Sequence, residues 1–96
     1  MKDLLECRRE IDEIDKEMMK LFEKRMHVVK DVIAYKVANN MEIFQGARER
    51  EVIEKNVSRL EDESLKIYAK EFLESMMNVS KSYQKSILDD YQENEK

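Results

Sequence analysis

Two basic residues lie on the apolar face of one predicted helix, with a spacing that suggests an anion-binding site. Arg25 follows Leu21 by one turn, and Lys36 follows Arg25 by eleven residues. On an α-helix this spacing brings the two residues to within about 20° of each other, about 16 Å apart along the axis. Two long cationic side chains reaching inward would leave a gap for a small dianion. Alternatively, Arg25 fixes the register of a helix seam or pairs with a buried carboxylate, and Lys36 extends its ammonium into water.

A further arginine, Arg8, lies on the same helix but cannot reach this gap from its own chain. It precedes Arg25 by 17 residues, which places it about 25 Å away and turned by about 100° around the helix. In an antiparallel dimer of long first helices, Arg8 could instead enter the pocket of the partner.

Four more polar residues could complete such a site. Arg48 and Glu49, in the segment ARERE, could bring a cation and a hydrogen-bond acceptor, or could form a solvated turn. Ser80 and Gln84 are four residues apart and therefore share one helix face. They could line a cavity as neutral donors at any ordinary pH, or could face water.

The composition predicts an all-α fold in a single domain over residues 1–96. The chain contains 42% charged and 42% hydrophobic residues, one Gly and no Pro, so it lacks the turn residues of a β-rich fold. Capping residues and periodicity predict three helices, over residues 3–38, 47–58 and 63–91. Asn39 and Asn40 are expected to end the first helix, and the tail from about residue 89 is expected to fray.

The first helix is too long for a compact domain of this size. It would span about 50 Å, whereas a 96-residue domain is about 30 Å across. Its apolar residues nevertheless repeat every seven positions along its length: Leu4, Cys7, Ile11, Ile14, Met18, Leu21, Val28, Val32 and Tyr35. A second chain must cover this face, so we expect an obligate, intertwined homodimer.

Apolar residues also follow helical spacing on the other two helices. The second helix has a small apolar side formed by Val52, Ile53 and Val57. On the third helix the predicted apolar stripe consists of Leu65, Tyr68, Phe72, Met76, Val79, Tyr83 and Ile87.

Charge and cysteine content narrow the possible partners and the compartment. The net charge of −4 disfavours nucleic acid, which needs a basic stripe. No apolar run approaches the length of about 20 residues that spans a membrane, and no signal peptide opens the chain, so no membrane partner is expected. The single cysteine, Cys7, indicates a cytoplasmic protein without a disulfide framework. Cys7 is expected to be buried and His27 to lie at the surface.

The sequence resembles the all-helical, AroQ-class chorismate mutases from about Leu4 to Ile87. The resemblance rests on CRREIDEIDKEMMKLFEKRMHVVKDVIAYK, then ARERE, then SKSYQ, in this order and spacing. It implies an isomerase that converts chorismate to prephenate in phenylalanine and tyrosine biosynthesis, on the shikimate pathway. It also implies an interlocked dimer with two active sites and a reaction that needs no metal or other cofactor.

The resemblance assigns roles to the polar residues. The carboxylate-binding arginines fall on Arg25 and, from the other subunit, Arg8. The pocket lysine falls on Lys36, and the family's third-helix serine and glutamine fall on Ser80 and Gln84. Lys36 and Gln84 would donate to the ether oxygen whose bond breaks.

The start of the second helix matches the family with one departure. The family's arginine and glutamate fall on Arg48 and Glu49, and the glutamate holds the ring hydroxyl of the substrate. Many members carry an aspartate three residues before this pair, near the same hydroxyl, where this chain has Gln45. Gln45 is a poorer N-cap than aspartate, and it is included among the candidate binding residues.

Two other functions fit the same residues. Isochorismate pyruvate lyases share the fold and use a similar cationic pocket to eliminate pyruvate. The chain could also be a helical dimer without activity, or a regulatory subunit of another enzyme of the shikimate pathway.

Overall fold

The computed structural model describes residues 1–94 and is built from helices. These are α1 (Leu4–Ala38), α2 (Gly46–Ser58) and α3 (Lys66–Asn94), with one 3₁₀ turn at Glu63–Leu65 directly before α3. None of the described residues forms a β-strand. The predicted all-α fold with three helices and a very long first helix is therefore confirmed.

Local side-chain hydrogen bonds define both ends of α1. The carboxylate of Asp3 accepts from the backbone N–H of Glu6 at 2.9 Å, which satisfies one of the free donors of the first turn. At the other end, the side-chain amide of Asn39 donates to the carbonyl of Tyr35 at 2.8 Å. Asn40 then adopts the left-handed conformation, with φ of 53°, which ends the helix where the sequence predicted.

The third helix continues beyond its predicted end. Residues 89–94, which belong to the tail that was expected to fray, are helical, and residues 95 and 96 of that tail lie outside the described residues. Ile87 is buried and Leu88 is half-buried, so packing extends into the last turns of α3.

Helix α3 is the centre of the packing, because it contacts both α1 and α2. The buried apolar side chains are few: Ile33, Leu73, Met77 and Ile87. Three of these four lie on α3, so this helix supplies most of the small core that positions the other two.

The buried face of α3 overlaps the predicted apolar stripe only in part, since Ile87 is buried and Met76 and Tyr83 are half-buried. Phe72 and Val79, which belong to the stripe, are exposed by 58% and 48%, whereas Leu73 and Met77 are buried. A shift of one residue turns a helix by about 100°, so the exposed members of the stripe form a second apolar face beside the core. Periodicity locates apolar faces, but it does not show which of two faces the chain itself covers.

Only the C-terminal half of α1 packs within the chain. Met26, Val29, Ile33 and Val37 are buried or half-buried on this half, and Ile33 is completely inaccessible. In the N-terminal half, residues 4–24 are exposed except Cys7, which is half-buried. The predicted seven-residue seam therefore lies mostly open along α1.

The molecule is correspondingly elongated. Its longest dimension is 61 Å and its radius of gyration is 17.2 Å, whereas a compact chain of this length would have a radius of gyration of about 12–13 Å. Among the described helices, none combines the length and the apolar character that crossing a membrane requires.

Candidate active site

A cavity of about 190 Å³ lies where α3 meets the C-terminal half of α1 and the start of α2. Seven of the eight residues predicted for the site line it: Arg25, Lys36, Gln45, Arg48, Glu49, Ser80 and Gln84. The structure thus brings together residues from all three helices and from the connection between α1 and α2.

The Arg25 guanidinium is held in place by α3. Its Nη1 donates a hydrogen bond of 2.9 Å to Oγ of Ser80, and the Ser80 side chain is buried. Since Ser80 accepts this bond, its own hydroxyl hydrogen stays available for another acceptor. The remaining guanidinium N–H groups of Arg25 are likewise available, so the pair presents several donors to the cavity.

The Lys36 ammonium is oriented by the connection between α1 and α2. Its Nζ donates to the backbone carbonyl oxygen of Ile43 at 3.0 Å, and both side chains are half-buried. An ammonium has three donors, so this bond leaves two that can reach a ligand. The same bond fixes the connection against α1, where Ile43 contributes to the cavity wall.

Arg48 and Glu49 point to different neighbours. The Arg48 Nη1 pairs with Oε1 of Glu51 at 2.8 Å, and the Arg48 side chain is largely exposed at the rim of the cavity. The Glu49 side chain is 31% exposed, and its Oε1 lies 3.3 Å from Nζ of Lys81 on α3. Glu49 thus connects the first turn of α2 to the middle of α3.

Gln45 closes the first turn of α2 through its backbone. Its carbonyl oxygen accepts from the N–H groups of Arg48 and Glu49, at 3.1 and 3.2 Å. Its side chain is exposed and forms no capping hydrogen bond. This agrees with the expectation that glutamine is a poor N-cap, although Gln45 does lie at the cavity wall.

Gln84 lies half-buried one turn after Ser80, on the same face of α3. The rest of the wall is apolar and consists of Val29, Val32, Val52 and Met77, with Ile43 from the connection. The wall thus combines seven polar side chains with five apolar ones, and in small-molecule sites such polar groups fix the orientation of the ligand.

Of the eight residues predicted for the site, Arg8 is the one that does not line this cavity. It is exposed on the N-terminal half of α1, far along the helix from Arg25. His27 is exposed, as expected, and also lies outside the cavity wall.

The charges of the cavity favour an anion. The wall contains three cationic side chains, Arg25, Lys36 and Arg48, and one carboxylate, that of Glu49. Within residues 1–94, no cluster of three or more His, Cys, Asp or Glu side chains could hold a metal ion.

Sequence reasoning missed two features of the site. The carbonyl of Ile43 carries no signal in the sequence, because any residue supplies that group. Lys81 follows Ser80 in SKSYQ, but nothing in its spacing indicates that it contacts α2. Such contacts depend on how α2 crosses α3.

The comparison with protein families fits this arrangement. The family model for chorismate mutase type II matches residues 7–85. The chain belongs to the chorismate mutase type II family. The matched segment includes all eight predicted site residues, from Arg8 to Gln84, and the family's all-helical fold agrees with the three helices observed. Among curated proteins, none matches the chain.

The uncapped start of α2 leads to a prediction for this chorismate mutase family member. Gln45→Asp should raise the free energy of unfolding by about 0.5–1 kcal/mol, because an aspartate side chain can accept from a free N–H of the first turn. Urea unfolding at fixed protein concentration would measure the change.

Gln45→Ala provides the matched control, since alanine cannot cap. It should leave stability nearly unchanged. Equal stabilities for the aspartate and alanine variants would contradict this account of the helix start.

Proposed function

We propose that this protein is a chorismate mutase, an isomerase that rearranges chorismate to prephenate. The observation that supports this most strongly is that Arg25 and Lys36 of α1 line one cavity together with Ser80 and Gln84 of α3, in a member of the chorismate mutase type II family. Chorismate is a small dianion, and the cavity offers more cationic than anionic groups.

The first task of the site is to hold the flexible substrate in a compact, chair-like shape. A guanidinium is always charged and can bind a carboxylate through two parallel hydrogen bonds. We assign Arg25 to one substrate carboxylate. The bond from Arg25 to Ser80 supports this role, because it orients the guanidinium before the substrate arrives.

The second task is to stabilise the negative charge that develops on the ether oxygen as the C–O bond breaks. Lys36 and Gln84 are assigned as the two donors to this oxygen. A donor that is already oriented, as Lys36 is by the Ile43 carbonyl, stabilises the transition state without further reorganisation. Losing one such donor typically costs about 10²–10³ in rate.

The start of α2 is assigned to recognition of the substrate. Glu49 would accept a hydrogen bond from the ring hydroxyl, and Arg48 would add a cation at the rim. Gln45 lies beside them and would contact the substrate through its backbone or its amide.

We further propose that the active form is an intertwined homodimer in which Arg8 enters the site of the partner. The single chain exposes 8192 Å² of surface, whereas a compact chain of 11.6 kDa would expose about 5,800 Å². Much of the excess is apolar, since Leu21 and Tyr35 of the α1 seam are each 63% exposed. A second copy with the same seam is the partner that fits this surface.

The reaction is assigned to phenylalanine and tyrosine biosynthesis in the cytoplasm. This assignment follows from the proposed substrate and from the single cysteine, which supports no disulfide framework.

Incubation with chorismate, and separately with isochorismate, tests the proposed function directly. Chorismate should yield prephenate, and Arg25→Ala should lower kcat/KM by at least about 100-fold because the carboxylate loses its charged clamp. Product identification by chromatography is the measurement.

Each of the other outcomes would replace the proposal. Pyruvate released from isochorismate with little prephenate would make the protein an isochorismate pyruvate lyase. If both substrates remain unchanged, the protein would be a helical dimer without this activity.

The role of Gln84 predicts a pH effect. Gln84→Glu should retain activity at acid pH, where the introduced carboxyl is protonated and donates, and should lose it towards neutrality, where the ionised group only accepts and repels the dianion. The pH profile of kcat/KM for the variant and the wild type is the measurement. Gln84→Ala, which donates at no pH, should be weak throughout, and a Gln84→Glu profile that follows the wild type would remove Gln84 from this role.

The trans role of Arg8 predicts complementation between inactive variants. Arg8→Ala and Arg25→Ala subunits, unfolded together and refolded, should form one intact site in each mixed dimer. An equimolar mixture should therefore regain about a quarter of the wild-type activity, because about half of the dimers are mixed. Each variant refolded alone is the control, and a mixture that stays inactive would show that Arg8 does not act across the interface.

A further inference from the structure

The ion pair between Glu49 and Lys81 joins the cavity to a residue outside it. The two charged atoms lie 3.3 Å apart, with Glu49 in the first turn of α2 and Lys81 in the middle of α3. Among residues 1–94, no other ion pair involves Glu49. Lys81 is therefore the one residue of the described chain that forms an ion pair with this carboxylate.

The position of Lys81 on α3 explains why it reaches the rim and not the interior. Ser80 and Gln84 share the face that lines the cavity, and Lys81 is turned by about 100° from Ser80. Its side chain is 41% exposed and does not belong to the cavity wall. The ammonium thus approaches Glu49 from outside the cavity.

A cation beside the Glu49 carboxylate has two effects on the site. A carboxylate in the wall of a site for a dianion repels the ligand, and the repulsion is reduced when a cation lies beside the carboxylate. An ion pair between two helices also limits the conformations of a glutamate side chain, which is otherwise flexible. Both effects act on the same atoms, Oε1 of Glu49 and Nζ of Lys81.

We propose that Lys81 is a positioning residue, which holds the Glu49 carboxylate in place as acceptor for the ring hydroxyl of the substrate. This inference rests on the proposed function, because it requires a ligand that carries the hydroxyl. Lys81 itself does not touch the substrate. It determines how well the site distinguishes chorismate from an analogue without this group.

The test compares two substrates. Lys81→Met should lower kcat/KM for chorismate by about threefold to fivefold, the upper part of the range expected for a partly exposed ion pair. The loss should lie in KM, since the ring hydroxyl takes no part in the bonds that form and break. For the analogue in which hydrogen replaces the ring hydroxyl, wild type and variant should agree within about 1.5-fold, because Glu49 has nothing to accept.

Two further variants test whether Lys81 acts through Glu49. In a Glu49→Ala background, adding Lys81→Met should cause no additional loss with chorismate, because the carboxylate is already absent. Lys81→Arg should restore most of the wild-type KM, since it keeps the cation. Lys85→Met is the matched control one turn later, where the lysine is exposed, and it should leave both substrates unaffected.

Each remaining outcome overturns the inference. Equal losses with both substrates would show that Lys81 acts on the substrate or on the fold, and an unchanged KM would show that the ion pair has no role. If the losses from Lys81→Met and Glu49→Ala add, Lys81 does not act through Glu49. A wild-type protein that leaves chorismate unchanged would overturn the proposed function, and the role of Lys81 with it, whereas the other outcomes leave that function intact.

Discussion

The architecture depends on one constraint, which is that α1 is longer than the core its own chain can build. Its C-terminal half packs on α3 through Ile33 and its neighbours, and its N-terminal half extends away from the domain. The packed half also presents Arg25 and Lys36 to the cavity. The extended half carries the open seam and Arg8, so the homodimer proposed above would use one helix both as a cavity wall and as an interface.

A cation beside apolar surface is tolerated only when its N–H groups have hydrogen-bond acceptors. The fold supplies an acceptor for both Arg25 and Lys36. Arg25 donates to the buried Ser80 hydroxyl, and Lys36 donates to the Ile43 carbonyl. These bonds use only part of the donor capacity of each group. The contacts that make the cations compatible with the fold therefore also orient their remaining donors, which is the preorganisation that electrostatic catalysis requires.

Helix α3 links the parts of the site because it contacts both other helices. Ser80 faces α1 and anchors Arg25, whereas the adjacent Lys81 reaches α2 and pairs with Glu49. Two consecutive residues can do this because successive positions on a helix are turned by about 100°. The contact of α3 with Arg25 and its contact with Glu49 therefore depend on two different helix crossings, those of α3 with α1 and with α2.

The sequence by itself determined the helices and most of the cavity. Composition and capping residues predicted the all-α fold. The eleven-residue spacing of Arg25 and Lys36 predicted that both face the same cavity, because helical spacing is local geometry. Tertiary structure alone decided that Leu73 and Met77, and not the Phe72 face, form the core of the chain. It also decided the contact between Lys81 and Glu49 and the orientation of Lys36 by a backbone carbonyl. These depend on which of several compatible faces meet when helices cross, and that choice is set by packing between distant residues, which no local pattern encodes.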